Sequence, residues 1–280
     1  MIKDLKKVAR RNLNILRSYG EYLSDARRFR AASTGFAAPK RHEQWRALLT
    51  IDYHRIEKGL ALPDPRAGFG KNVIERLLIN TPRYIERFGR DELTDIVVNC
   101  LRAYTAHNAA SDIETPDVVQ FVARYDKESA ASDTSIGGTM AMSKADFIAR
   151  CSIDPEGFFN SRSSVRQFSD EAVSQDLLAR AMQLAAKTPS VCNRQSGRAY
   201  WSTDHDVIEK ALSFQNGNRG FGHTVPALFV VCSEFDIFEK LDERNQGWID
   251  GGLFAMTLVY ALHSLGLGSC MLNWSVPTAR

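Results

Sequence analysis

The sequence lacks any apolar run long enough to cross a bilayer. The longest apolar-rich stretch of the 280 residues is 251–262, whereas a membrane-spanning helix needs about 20 apolar residues. The first thirty residues alternate charged with apolar positions and contain no apolar core of the kind a secretory signal peptide has. We therefore expect a soluble, cytoplasmic protein.

Cysteine is scarce and unpaired. The five cysteines are scattered along the chain, and no two of them form a CxxC pair. An odd, widely spaced set predicts reduced intracellular thiols, and it excludes a disulfide scaffold and a structural zinc site. We expect no metal.

Two further signatures are missing. Three glycines lie in residues 217–222, but they do not follow the order G-x-G-x-x-G and no strand precedes them, so they do not indicate a dinucleotide-binding turn. The sequence also shows no Ser/His/Asp or Cys/His constellation. We therefore expect no side chain to act as a catalytic nucleophile or general base.

Charge is unevenly distributed. The whole chain has a net charge of +3, but residues 1–46 contain twelve Lys/Arg and four Asp/Glu, a net of +8, which leaves −5 for the rest. Three interpretations of this basic segment stay open: the solvated face of a docked helix, a contact with an anionic membrane surface, and a contact with nucleic acid. No base-reading motif accompanies the charge, so we do not expect nucleic acid to be the partner.

The periodicity predicts three regions. Residues 1–128 are predicted to form an all-α N-terminal domain, residues 129–143 are predicted to be a linker because they are small, polar and glycine-containing, and residues 144–280 combine helices with short strands. The first predicted helix has its apolar positions at helical spacing: Ile2, Leu5, Ala9, Leu13, Leu16, Tyr19, Leu23 and Ala26. The fold class is therefore α+β, with the sheet in the C-terminal part.

The C-terminal part is predicted to contain two helices and three strands. One helix begins near Ser169 and ends before Pro189, and a second spans residues 248–265. The predicted strands are residues 199–202, 227–232 and 269–273. The second helix is apolar on nearly every side, so it is expected to be buried all round, and an interface between two subunits is one way to bury it.

Three segments contain residues suited to binding an organic phosphate. Residues 162–168 place two guanidinium groups and two hydroxyls just before a helix, a combination that suits an anion. Residues 189–195 lie between a helix and a strand and contain amide side chains that can both donate and accept hydrogen bonds. Residues 265–274 form a glycine-rich exit from a helix into a strand. Each segment alone is more easily explained as an ordinary basic or capping turn.

In this order and spacing the three segments resemble the nitroreductase-like family of FMN-dependent oxidoreductases, over roughly residues 155–275. The positions that match the family pattern are Arg162, Ser164, Arg166 and Phe168, then Pro189, Ser190, Asn193 and Gln195, then Pro226 and residues 265–268. The resemblance implies a nitroreductase-like mixed sheet flanked by helices. It also implies an FMN at the interface of a homodimer, with NADH or NADPH as reductant and a small-molecule electron acceptor.

The resemblance also assigns the binding residues. Arg162, Ser163 and Ser164 would hold the phosphate end of FMN, and Arg166 would face the pyrimidine edge of the ring, where a cation stabilises the charge of the reduced flavin. Asn193 would hydrogen-bond the same edge, and Gln195 would also bind the cofactor. Leu272 and Asn273 would lie against the ring from the other subunit. The implied reaction is ping-pong: NAD(P)H passes a hydride to flavin N5, the nicotinamide leaves, and the acceptor is reduced in its place.

Two departures from the family pattern leave an alternative open. Ser196 and Gly197 stand where the family usually has Pro-Trp, and the chain ends at Arg280, before a last strand and a basic pair that relatives use to hold the phosphate. A truncated C-terminus of this kind would weaken the FMN site. The alternative is a non-catalytic or degenerate flavin-fold module whose helical N-terminus binds a partner or a membrane surface.

Overall fold

The computed structural model describes residues 2–36, 38–127, 136–139, 143–145, 148 and 154–274. The chain divides into two compact units. Unit 1 consists of Met1–Ala38, Ile153–Pro189 and Gln195–Arg280, and unit 2 consists of Pro39–Ser152 and Ser190–Arg194. This division differs from the predicted boundaries, because the first 38 residues group with the C-terminal part of the chain.

The regular elements in the described part of unit 2 are all helices. Its helices are α2 (His42–Leu60), α3 (Lys71–Phe88), α4 (Glu92–Ala109) and α5 (Pro116–Lys127). Asp91 begins α4 because its carboxylate accepts a hydrogen bond from the backbone N–H of Thr94, an N-cap that satisfies a free helix donor. The fully buried side chains of Ile56, Leu77 and Leu101 form the centre of the core.

Most of the predicted linker lies outside the described residues. The described part is attached to unit 2: Asn99 Nδ2 donates a hydrogen bond to the carbonyl of Ile136 over 2.7 Å, and the backbone N–H of Gly138 donates to Glu57 Oε1 over 2.9 Å. Residues 136–138 therefore pack on α2 and α4.

The first helix, α1 (Ile2–Ala32), belongs to unit 1 because its C-terminal end packs there. The ring of the buried Phe29 contacts the ring of Phe235, and Ser33 Oγ donates a hydrogen bond to the carbonyl of Glu239 over 2.9 Å. Gly35 has no side chain at a point where a Cβ would overlap the carbonyl of Glu239, so only glycine fits this close approach.

The rest of unit 1 is a small sheet with helices against it. Its helices are α6 (Pro155–Ser161), α7 (Gln175–Ala185), α8 (His205–Ser213) and α9 (Gln246–Ser264). Strands β1 (Gly197–Ser202) and β2 (Leu228–Ser233) pair antiparallel, with Gly197 opposite Ser233 and Ser202 opposite Leu228. Leu178 and Ala181 of α7 pack with Phe254 and Leu258 of α9 in the core. The predicted α+β class, with a helical N-terminal region before the sheet, is confirmed.

Three local predictions are corrected by the structure. Helix α7 begins at Gln175, because Ser174 Oγ accepts the N–H of Asp176 and so caps the helix; Ser169 offers the same sequence signal without forming the cap. The predicted strand 269–273 is reduced, among described residues, to a single parallel bridge between Ser269 and Ser164.

Helix α9 is also not buried all round in the single chain. Trp248, Ile249 and Leu253 are 70%, 53% and 45% exposed. These residues recur at helical spacing, so they form one apolar face at the N-terminal end of α9. No helix within the described residues is long and apolar enough to cross a membrane.

Candidate functional site

The turn that carries Arg162 and Arg166 is attached to the segment after α9. Helix α6 starts with Pro155 and is capped by Asp154, whose carboxylate accepts the N–H of Gly157. It ends at Ser161, and Arg162 has an extended backbone. Ser164 then forms a parallel bridge with Ser269, and the N–H of Val165 donates to the carbonyl of Ser269 over 3.0 Å.

Gly268 permits this pairing. A Cβ at residue 268 would lie 2.8 Å from Cγ2 of Val165, which is closer than real Cβ contacts come. Glycine is therefore needed here for the backbones of the 162–166 turn and the 265–270 segment to approach. The first and third sequence segments are thus brought together by a hydrogen-bonded contact.

Leu272 and Asn273 continue from the bridge and contact the residues after α8. The backbone carbonyl of Asn273 accepts a hydrogen bond from Gln215 Nε2 over 2.9 Å, and a Cβ on Gly217 would lie 3.2 Å from Cδ2 of Leu272. The side chain of Asn273 is exposed and that of Leu272 half-buried. The segment that carries both residues is thus fixed against the residues after α8.

The 162–166 turn presents uncompensated positive charge. Within the described residues, neither Arg162 nor Arg166 forms an ion pair with a carboxylate, and Arg166 Nη1 meets only the Ser164 carbonyl, at 3.5 Å. Ser163 and Ser164 are exposed. Two free guanidinium groups beside two hydroxyls provide the donors that a phosphate monoester needs.

The second segment contains an unusual concentration of left-handed backbone. Cys192, Asn193 and Gln195 have φ values of 48°, 52° and 54°, although none is glycine. Such conformations cost of order 1–3 kcal/mol each and cluster at ligand sites. Gln195 lies in unit 1, where its Nε2 donates to the carbonyl of Thr188 over 3.1 Å. Asn193 belongs to unit 2 and its side chain is exposed.

Asp250 and Phe254 of α9 support the residues just after Gln195, a role that the sequence analysis did not assign. Ser196 Oγ donates a hydrogen bond to Asp250 Oδ2 over 3.3 Å, and Gln246 Nε2 donates to Asp250 Oδ1 over 2.8 Å. A Cβ at residue 197 would lie 2.5 Å from the ring of Phe254, so Gly197 gives this ring its space. The signal in the sequence was an acidic residue inside an otherwise apolar helix.

No group of three or more His, Cys, Asp or Glu side chains in the described part of the chain could hold a metal ion. The site therefore consists of cations, hydroxyls, amides and an apolar residue.

A comparison with models of protein families agrees with the residues found in these segments. Residues 160–213 match the model of the Nitroreductase family. The match covers the first two segments, including Arg162, Arg166, Asn193 and Gln195. It confirms the predicted resemblance to this family of enzymes in the C-terminal part of the chain.

Solved structures give similar but partial matches. The hypothetical oxidoreductase YcnD from Bacillus subtilis is 23% identical, with a TM-score of 0.36, over 40% of this chain and 50% of that one. NfrA2 from B. megaterium is 25% identical over the same shares, with a TM-score of 0.35. An FMN-dependent nitroreductase from Clostridium difficile R20291 is 23% identical, with a TM-score of 0.38, over 44% of this chain and 69% of that one.

The chain thus spans about half the length of YcnD and of NfrA2. No curated protein matches it.

Proposed function

We propose that the chain is an FMN-dependent NAD(P)H oxidoreductase that reduces a small-molecule acceptor. The observation that supports this most is the Ser164–Ser269 bridge, because it joins the turn that contains Arg162 and Arg166 to the segment that leads to Leu272 and Asn273. The family match over residues 160–213 supports the same proposal. FMN, when bound, supplies the hydride-accepting chemistry that the protein's own side chains do not.

The residues present fit FMN. Arg162, Ser163 and Ser164 would hold its phosphate through charge-assisted hydrogen bonds. Arg166 and Gln195 would bind the pyrimidine edge of the ring, and a fixed cation there stabilises the negative charge of the reduced state. Leu272 and Asn273 would cover one side of the ring and exclude water from it.

The reductant and the acceptor are proposed to use the same exposed side of the site in turn, which gives ping-pong kinetics. The exposure of Ser163, Ser164 and Arg166 supports this arrangement, because a site open to solvent admits two substrates in succession. The location is proposed to be cytoplasmic. NADH and NADPH both remain candidates for the reductant.

A homodimer is part of the proposal. The apolar face formed by Trp248, Ile249 and Leu253 would be covered by the same face of a second copy. Three large, exposed apolar side chains on one helix face indicate an interaction surface. The open site would then be completed by residues of the partner.

The alternative is a degenerate flavin-fold module that binds FMN weakly or not at all. One of the two departures that support it is the replacement of Pro-Trp by Ser196-Gly197. Both residues are well packed against α9, so the replacement does not leave the loop unsupported. This favours the enzyme over the module.

The deciding experiment is an absorption spectrum of the full chain after reconstitution with FMN, followed by anaerobic titration with NADH and with NADPH. The proposal predicts retained flavin that is bleached by at least one nicotinamide, with parallel-line kinetics when a quinone is the acceptor. Flavin that is retained but not bleached by either nicotinamide would favour the module. Failure to retain FMN would contradict the proposal.

A further inference from the structure

Helix α1 presents a continuous apolar stripe to solvent. Six large side chains, each between 44% and 73% exposed, lie on one face: Val8, Ile15, Leu16, Tyr19, Tyr22 and Leu23. At 100° per residue they fall within an arc of about 120°. Single exposed apolar residues are common on proteins, but a stripe along five turns of one helix indicates a surface that is covered by something.

The opposite face of the same helix is cationic. Lys6, Lys7, Arg10 and Arg17 fall within an arc of about 100° centred opposite the stripe, and residues 5–20 contain no Asp or Glu. Glu21, one turn after Arg17, lies on the same face, and Asp25 pairs with Arg28 near the other end of the helix. Residues 2–32 nevertheless contain nine Lys/Arg and three Asp/Glu, so the helix keeps a net positive charge.

The stripe is not what attaches α1 to unit 1. That attachment is made at the C-terminal end by Phe29 and Ser33, through the contacts with Phe235 and Glu239 described above. The described side chains of residues 6–20 are all exposed. The protein therefore anchors the helix by one end and leaves its apolar and cationic faces free.

We propose that α1 docks on an anionic lipid surface. The stripe enters the boundary between headgroups and acyl chains, and the lysines and arginines reach the lipid phosphates, which is how cationic amphipathic helices bind membranes. Tyr19 and Tyr22 suit this boundary because each has an apolar ring and a polar hydroxyl. A second copy of the chain would cover the stripe but would leave the net positive face without a role, whereas an anionic membrane uses both faces.

The test is co-sedimentation of the full chain with vesicles of phosphatidylcholine alone and of phosphatidylcholine with about one third phosphatidylglycerol. Binding is expected only to the anionic vesicles, and it should fall steeply as salt rises from about 50 mM to about 500 mM. Replacing Arg10→Gln and Arg17→Gln together should lower partitioning about 30-fold. Replacing Leu16→Ser and Tyr19→Ser together should lower it by about tenfold or more.

Matched controls remove the same groups elsewhere. Lys187→Gln with Lys210→Gln removes two exposed cations outside α1, and Val207→Ser removes an exposed apolar side chain of α8. Both should change partitioning less than about twofold. On the unmodified protein, anionic vesicles should slow hydrogen exchange of amides in residues 6–23, a readout that needs no variant.

Three results would overturn the proposal. The first is no binding to anionic vesicles at low salt. The second is equal binding to neutral and anionic vesicles, or equal losses in the α1 and control variants. The third is that Leu16→Ser with Tyr19→Ser lowers the sedimentation mass of the protein without changing vesicle binding, which would mean that a second copy of the chain covers the stripe. None of these results depends on FMN, so the proposed oxidoreductase function is tested separately.

Discussion

The hydroxyl of Ser196 donates a hydrogen bond to Asp250 Oδ2 over 3.3 Å, and the two residues are 0% and 2% exposed. This contact ties the residue after Gln195 to the second turn of α9. Because Gln195 has a left-handed backbone, the turn needs such support to keep its conformation. The contact is thus a structural link between the candidate site and the helix proposed to form the dimer.

Removing either partner of this bond should lower stability. Asp250→Ala removes the acceptor of the buried Ser196 hydroxyl and of the half-buried Gln246 amide, so the free energy of unfolding should fall by about 2–4 kcal/mol. Ser196→Ala removes one donor and should cost about 1 kcal/mol. Urea unfolding measures both. Ser213→Ala, which removes an exposed hydroxyl bonded to its own helix, should stay within about 0.5 kcal/mol, and equal values for all three variants would contradict the assignment.

Gly268→Ala should disturb the Ser164–Ser269 pairing. The new Cβ would press on Cγ2 of Val165, so stability should fall by about 1–3 kcal/mol and FMN retention should fall with it. The double variant Gly268→Ala with Val165→Ala should recover part of both losses, since it restores the space. Gly20→Ala is the control: a Cβ there has nothing within 4 Å, and alanine should be neutral or stabilise α1 by up to about 1 kcal/mol.

The apolar face of α9 should control the oligomeric state. Trp248→Glu together with Leu253→Glu places two charges in the proposed interface, so sedimentation velocity should show a shift from dimer to monomer. FMN retention should fall with it, because the site is proposed to be shared. Leu241→Glu alters an equally exposed leucine outside α9 and should leave the mass unchanged. A wild-type chain that sediments as a monomer at every concentration would remove the dimer from the account.

Glu57 should make the stability of the protein depend on pH. Burial raises the pKa of this carboxyl, and the hydrogen bond from Gly138 opposes the rise. Below the unfolded-state pKa of about 4.5 the carboxyl is protonated in both states, so burying it carries no charge penalty. As the pH rises through the higher folded-state pKa, the carboxyl ionises while buried and this stability is lost. Glu57→Gln has no charge to bury. Its free energy of unfolding should therefore exceed that of the wild type at pH 7 and be close to that of the wild type at pH 4.

The measurement is urea unfolding of both proteins across this pH range. Burial lowers the pKa of His54, and His54 Nδ1 lies 4.0 Å from Glu57 Oε2, so both proteins are compared in a His54→Gln background that removes this titration. Glu75→Gln, on the exposed face of α3, should show no such trend. A Glu57→Gln advantage that is the same at pH 4 and pH 7 would show that the carboxyl is not penalised by burial.

Some elements of the fold were predictable because their signals are local. The long apolar run of α9 and the short apolar runs of β1 and β2 place these elements to within a few residues. The start of α7 was not predictable, because Ser169 and Ser174 both precede acidic residues and only the structure shows which one caps. The grouping of α1 with unit 1 depends on contacts of Phe29 and Ser33 more than 200 residues along the chain, which no local pattern encodes.

The candidate site, too, could be predicted from the sequence only where its signals are local. Arg162, Ser164, Arg166 and Gln195 could be found from their order and spacing. Asp250 and Phe254 could not, because their importance depends on the packing of α9 against Ser196 and Gly197. The predicted strand at 269–273 was wrong beyond Ser269. Within the described residues Ser269 alone of this segment is paired, and its partner is Ser164.

The account depends most on the cations of the 162–166 turn. The direct test is fluorescence titration of FMN into the apoprotein for the wild type, Arg162→Ala, Arg166→Ala and the control Arg180→Ala, whose guanidinium bonds to Gln183 of its own helix. Loss of a charge-assisted hydrogen bond should raise the Kd for FMN by about 10- to 100-fold in each of the first two variants, and Arg180→Ala should match the wild type. An unchanged Kd in both Arg162→Ala and Arg166→Ala would contradict the account.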